Sequence, residues 1–171
     1  MNYINDIPLK VENNFNVIVE IPKGTDSKYE LIDGSFDDVV EVRKVIGKYP
    51  FYYGCFPQTH AGDNDPLDMI LITKHKHRFK PLDIIRVDAV GVIKTIDNGE
   101  VDDKIIVIPA GEQINWTKQL ARDFGFLETY KGENSNTIIN KNLFREDMAL
   151  KLIDEAHYNY NKLNSSKIIS E

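Results

Sequence analysis

The chain has a single cysteine, Cys55, so no internal disulfide can form, and a small scaffold stapled by bridges is excluded. Long hydrophobic runs are also missing. The longest, MILI at 69–72 and IIVI at 105–108, are strand-sized and far short of a bilayer span. The opening MNYINDIPLKVENNFN has neither the basic start nor the apolar centre of a signal peptide. Together these absences predict a cytoplasmic protein without membrane association. Positive charge is in deficit, 21 lysines and arginines against 27 acids for a formal net charge of −6, which disfavours the sequence-independent grip on nucleic acid that needs a basic face. Only four histidines occur, none in an HxxxH or HExxH arrangement, and Cys55 has no evident histidine partner, so zinc hydrolysis and thiol catalysis lack support. Low-complexity segments and internal repeats are absent as well.

What is present is ordinary globular composition, with 42% hydrophobic and 28% charged residues over 171 positions, the size of one domain spanning 1–171. Short β-branched runs at 17–21, 29–32, 39–42, 69–73, 84–90, 92–96 and 104–108 read as strands. Turn-forming clusters separate them: Pro22-Lys23-Gly24-Thr25-Asp26, Asp33-Gly34-Ser35, Gly62-Asp63-Asn64-Asp65-Pro66 and Asp97-Asn98-Gly99. The segment Tyr49-Pro50-Phe51-Tyr52-Tyr53-Gly54 reads as an aromatic turn. Helical periodicity comes later, weakly over 116–127 and clearly at Phe144, Met148, Leu152, Ile153, Ala156 and Tyr160. Strands followed by helices predict an α+β fold, a five-stranded antiparallel β-barrel flanked by two helices.

Chemistry concentrates in Asp63-Asn64-Asp65-Pro66-Leu67-Asp68, three carboxylates in six residues running into the apolar 69–72 strand. Two carboxylates about 4 Å apart repel by roughly 4 kcal/mol at an effective dielectric near 20, so a converging set calls for a bound cation or a retained proton. Magnesium, which takes oxygen ligands and shares its remaining positions with water and phosphate, suits such a loop. An exposed acidic turn is the alternative. A second acidic group, Asp97, Glu100, Asp102 and Asp103, precedes Lys104. Strand alternation would put Asp102 and Lys104 on one face and leave Asp103 facing solvent. By the same alternation Lys28 and Glu30 project together, and Glu20 points away from Val19 and Ile21. Arg43, Tyr49, Tyr53, Tyr130 and Lys131 add cations and phenols able to meet phosphate oxygens, although solvated edges and packed aromatics explain them equally well. The basic HKHRFK run at 75–80 reads as a solvated connection.

Taken in order from about residue 17 to 131, these segments resemble the family I soluble inorganic pyrophosphatases of prokaryotic type. The DxDPxD motif stands as Asp63, Asp65, Pro66 and Asp68 after the Tyr53-Gly54 turn. Glu20 matches the family's early glutamate, Lys28 and Glu30 its KxE pair, Arg43 its strand-end arginine, and Tyr49 and Tyr53 its YPxxYG segment. Asp97, Asp102 and Lys104 match its second acidic hairpin, and Tyr130-Lys131 its late pair. The resemblance implies an OB-like barrel, several Mg2+ ions per active site with Mn2+ or another divalent cation as substitutes, pyrophosphate as substrate, and a homohexamer. It also implies roles: Asp65 as general base; Asp63, Asp68, Asp97, Asp102 and Glu30 as metal-holding carboxylates; Lys28, Arg43, Tyr53, Lys104, Tyr130 and Lys131 around phosphate; Glu20 and Tyr49 lining the site. The chain departs from the pattern at Asn64, where the family commonly has glycine, and at Asn98, where an acid often follows the hairpin aspartate. The intervals from Arg43 to Tyr49 and from Pro109 to Tyr130 are shorter than usual. A metal-dependent nucleotide or polyphosphate hydrolase and a non-catalytic OB-type binding module are the competing expectations. Neither a base-reading pocket nor an aromatic ladder in a basic groove supports them.

Overall fold

The computed structural model describes residues 1–31, 39–76, 78–140, 142 and 144–169. Asp33-Gly34-Ser35 and His77 lie outside the described residues. In chain order the strands are β1 (Lys10–Val11), β2 (Asn14–Ile21), β3 (Ser27–Leu31), β4 (Val39–Lys44), β5 (Tyr52–Cys55), β6 (Asp68–Leu71), β7 (Ile84–Ile93), β8 (Thr95–Asp97), β9 (Glu100–Val101), β10 (Lys104–Pro109), β11 (Thr137–Ile139) and β12 (Phe144–Arg145). The helices are α1 (Tyr3–Asp6), α2 (Lys118–Phe124), α3 (Phe126–Thr129) and α4 (Glu146–Ile169).

Strands β2, β5, β6, β10 and β7 pair in that order, and β7 returns to β2 with Phe15 opposite Val87 and Ile18 opposite Ile84, which closes a five-stranded barrel. The expected barrel is therefore present, but it is mixed rather than antiparallel. β6 and β10 run parallel, with Met69 opposite Ile105 and Leu71 opposite Val107. A parallel pair requires a long crossover, and the chain between them supplies β7 and the β8–β9 hairpin. β10 is covered on both faces. Ile105 and Val107 join the cluster that includes Ala149, Ile153 and Ala156 of α4, whereas Ile106 joins the one containing Leu120, Phe124 and Leu127 of α2 and α3. Burial on both faces is why MILI and IIVI are continuously apolar instead of alternating.

Four elements differ from the sequence expectation. The two runs at 84–90 and 92–96 belong mostly to one ten-residue strand, β7, which Gly91 does not break. Gly91 sits opposite Ile106 while Ala89 sits opposite Val107, so Val90 is the extra residue of a bulge. The aromatic segment is a bend packed on the core at 49–51 that runs into strand β5 from Tyr52, and Gly54 is what lets that strand pair. A Cβ at Gly54 would stand 1.9 Å from the Ile18 carbonyl oxygen. The helix expected over 116–127 starts after Thr117, whose hydroxyl caps the Leu120 N–H, and is divided into α2 and α3 at Gly125. Phe144, read as helical, lies instead on β12 against β7. Among the described residues no helix is long and apolar enough to cross a membrane.

Candidate active site

The acidic loop is built by its own short bonds. Asp63 accepts from the Asp65 N–H at 3.1 Å, and the Ala61 N–H donates to the Asp65 carbonyl at 2.8 Å. Asn64 takes a left-handed φ of 70°, which asparagine tolerates better than most residues, so the backbone conformation open to glycine is kept. Thr59 anchors the exit by accepting from the Leu67 N–H at 2.9 Å, and Asp68 then begins β6. This arrangement directs Asp63, Asp65 and Asp68 to one cavity of about 340 Å³. Desolvation, then the neighbouring Asp63 and Asp68 charges, hold the Asp65 carboxyl above the usual carboxylate range.

Lys104, 4% exposed, stands at the head of β10 between two of these acids. Its Nζ lies 2.5 Å from Asp68 Oδ2 and also pairs with Asp102 Oδ1. Burial opposes the charge, but Asp68 and Asp102 outweigh it and hold the ammonium above its ordinary range. Asp102 is itself raised, by desolvation and by Asp68, with Lys104 opposing. The Tyr53 hydroxyl donates to Asp68 Oδ2 at 2.5 Å, so it orients that carboxylate, and burial followed by the Asp68 and Asp102 charges keeps the phenol strongly protonated.

The cavity's other wall carries Asp97, which pairs with Lys131 and accepts from Thr137 Oγ1 at 2.9 Å. Burial opposes its charge, yet Lys131 and Thr137 together hold it below the usual range. Asn98 and Gly99, both at positive φ, form the two-residue turn of the β8–β9 hairpin and so set where Asp97 points. Lys28 meets Glu30 at 2.5 Å, confirming that the two project together from β3. Glu20 accepts from the Leu31 N–H at 2.7 Å on the cavity floor. Desolvation, only partly offset by that bond and reinforced by Asp68 and Glu30, pushes its carboxyl up to about 8. Tyr49 and Tyr130 line the same space, with ring centroids 6.1 Å apart. Burial pushes the Tyr130 phenol up to about 12 and raises Tyr49 as well. Arg43 is exposed and outside the lining, its guanidinium 5.7 Å from the Tyr130 ring.

Of the residues given roles by the resemblance, all but Arg43 thus line one cavity. Asp103 is the correction. It is buried, accepts from the Thr95 N–H at 3.0 Å and pairs with Lys94 at 2.6 Å. Strand alternation does not reach it, because Asp102 and Asp103 precede β10 in non-strand backbone. Thr137 was missed. Its partner Asp97 is 40 positions away, and no local pattern signals the contact.

Seven carboxyls, from Glu20, Glu30, Asp63, Asp65, Asp68, Asp97 and Asp102, share the lining with three ammonium groups, from Lys28, Lys104 and Lys131. Among the described residues no three acidic, histidine or cysteine side chains converge as a ready-made metal cluster. The donor set nevertheless fits a hard divalent cation, since it is rich in carboxylate oxygen, in negative excess, and magnesium needs only one or two carboxylates beside water and phosphate.

Comparison with known proteins agrees with this chemistry. The family model described as inorganic pyrophosphatase matches residues 17–161. The chain is 32% identical over 159 residues to the inorganic pyrophosphatase of Picrophilus torridus, covering 86% of this chain and 88% of that one. It is 36% identical over 139 residues to soluble inorganic pyrophosphatase 3 of Arabidopsis thaliana, covering 74% of this chain but only 62% of the plant protein's length. An inorganic pyrophosphatase structure from Coxiella burnetii superposes with a TM-score of 0.78 at 29% identity, covering 90% of this chain and 99% of that one.

Proposed function

This chain belongs to the inorganic pyrophosphatase family, and from that premise we propose that its acidic cavity hydrolyses inorganic pyrophosphate to two orthophosphates with a metal-activated water. The observation that carries the reading is the negative charge of the cavity, whose lining holds six carboxyls besides Glu20 against three lysines. A polyanionic substrate is repelled from such a lining unless divalent cations accompany it. Asp63, Asp68, Asp97 and Asp102, with Glu30 farther out, would hold magnesium, manganese or another divalent ion, which when bound lowers the pKa of water and neutralises phosphoryl charge.

The chain's own residues do the rest. Asp65 accepts the proton of the attacking water, a role favoured by a carboxyl held above the ordinary range. Lys104 has three N–H donors, of which Asp68 and Asp102 take two, and the third is left for a phosphate oxygen. Lys28 and Lys131 contribute in the same way from their pairs with Glu30 and Asp97. Tyr130 offers a protonated phenol to the substrate, Tyr53 orients Asp68, Tyr49 packs behind both tyrosines, and Arg43 closes the rim over Tyr130. Glu20, neutral over much of the physiological range, lines the floor without adding full negative charge. No covalent nucleophile is required, because positioning and electrostatics supply most of the acceleration in phosphoryl transfer.

The reading includes a single catalytic domain over 1–171, cytoplasmic placement and a homohexamer. A row of exposed apolar residues supports subunit contact: Ile138 lies opposite Ile96 and Ile96 opposite Val101 across the three-stranded sheet of β11, β8 and β9. The test is phosphate release by purified protein from pyrophosphate, ATP and tripolyphosphate, with magnesium and then with excess EDTA. Pyrophosphate should be the preferred substrate and chelation should stop turnover. Faster cleavage of ATP would favour the nucleotide hydrolase, and no turnover of any substrate would favour the binding module.

A further inference from the structure

A second cavity, of about 460 Å³, opens on the opposite face of β5. Adjacent strand residues point to opposite sides; Tyr53 lines the acidic cavity, Tyr52 lines this one, and no residue lines both. The electrostatics are inverted. Lys23, Lys74, Lys76 and Arg78 surround the second cavity; the acids beside it are Asp123, which accepts from Gln119 Nε2 at 2.7 Å, and Glu112, which lies outside the lining against Thr73 and His75. Among the described residues none of the four lysine and arginine side chains is in an ion pair, whereas every lysine of the acidic cavity is. Three of the four come from the HKHRFK stretch and the lysine just before it, a basic run that the catalytic reading leaves unused.

Unpaired cations gathered in a concave site of a chain with net charge −6 create a local positive potential that recruits anions. The guanidinium fork of Arg78 suits two phosphate oxygens at once, and lysines act as point charges around it. A cavity of this size lies in the range of small-molecule sites, and four cations arrayed around it match a ligand with several charges better than one orthophosphate. We propose that this second cavity binds a linear oligophosphate chain, free or esterified to a nucleoside, at a site separate from the catalytic one. The inference does not rest on the pyrophosphatase reading.

The experiment is calorimetric titration of the full chain with tripolyphosphate, ATP and adenosine in EDTA, where the acidic cavity repels anions. Saturable binding of tripolyphosphate and ATP, but not of adenosine, is expected, and it should weaken as salt is raised. Equal affinity for the two assigns recognition to the phosphate chain, and tighter binding of ATP adds the nucleoside. The K74E/K76E/R78E variant should bind at least about tenfold more weakly, while magnesium-dependent turnover of pyrophosphate stays at the wild-type level. The milder K76Q/R78Q variant, which keeps side-chain length close to the original, should show a smaller loss in the same direction. Absence of saturable binding by the wild type, or unchanged affinity in both variants, would overturn the proposal.

Discussion

Replacing Lys104 with methionine isolates the electrostatic logic of the catalytic cavity, because methionine keeps most of the buried side chain's bulk and removes its charge. The ammonium lies 2.5 Å from Asp68 and also contacts Asp102, and Lys104 is 4% exposed. Without it the two carboxylates face each other across roughly 5 Å, a repulsion of about 3 kcal/mol at an effective dielectric near 20. Breaking a buried pair typically costs about 3–5 kcal/mol, in agreement. The loss must depend on pH. Asp102 already sits above the usual carboxylate range, and removing Lys104 raises it further. A raised folded-state pKa contributes stability at low pH that disappears as pH rises through it. Urea unfolding in EDTA should therefore show Lys104→Met nearly as stable as the wild type at pH 5 and about 3 kcal/mol less stable at pH 8. Magnesium should stabilise the variant more than the wild type, since an added cation takes up the uncompensated charge. A deficit that is the same at both pH values and with or without magnesium would mean that Lys104 matters only through packing, and the charge argument would fail.

Other consequences follow from the same geometry. Glu20, held at about 8, binds its proton more tightly folded than unfolded. Metal-free wild type should accordingly lose up to about 1.4 kcal/mol per pH unit as pH rises from the ordinary carboxylate range towards 8. Glu20→Gln, which keeps an acceptor for the Leu31 N–H, should remove that slope in thermal melts; identical pH profiles for the two proteins would disprove it. Gly54→Ala should cost at least about 3 kcal/mol in urea unfolding, because its Cβ would meet the Ile18 carbonyl oxygen at 1.9 Å. A loss under about 1 kcal/mol would contradict this account of β5. Light scattering should report six chains per particle, and Ile138→Glu should reduce it by placing a charge in the exposed row. A mass equal to the 19.6 kDa chain across a concentration series would reject the hexamer.

What was legible in the sequence follows from how local each cause is. The acidic loop, the KxE pair and the apolar strands are short-range patterns, and the structure brings their residues to one cavity as read. Asp103 was misplaced because period-two alternation was extended past the start of β10, where the backbone is no longer a strand. β5 was hidden because Pro50 and Gly54 give its surroundings a turn-like composition, and only the approach of the Ile18 carbonyl explains the glycine. The parallel pairing of β6 with β10 depends on the crossover that separates them. Lys131 and Thr137 meet Asp97 across 34 and 40 positions, so nothing in either segment alone announces the contact. The basic run is the exposed connection between β6 and β7 that its composition suggests; what the composition does not show is the concavity beside it, which arises where β5, β6 and α2 pack together.

The most direct test is the turnover of pyrophosphate by wild type and Asp65→Asn at saturating magnesium, with Asp102→Asn as reference, because it demands both the activity and its location. Asparagine keeps the shape of the loop residue but cannot accept the proton of water. The account predicts that kcat of Asp65→Asn falls by about a hundred- to ten-thousandfold and recovers in part at higher pH, where hydroxide is more available. Asp102→Asn should instead shift the magnesium requirement upwards. Near-normal kcat for Asp65→Asn, or a loss that added magnesium fully restores, would contradict Asp65 as the general base of this site.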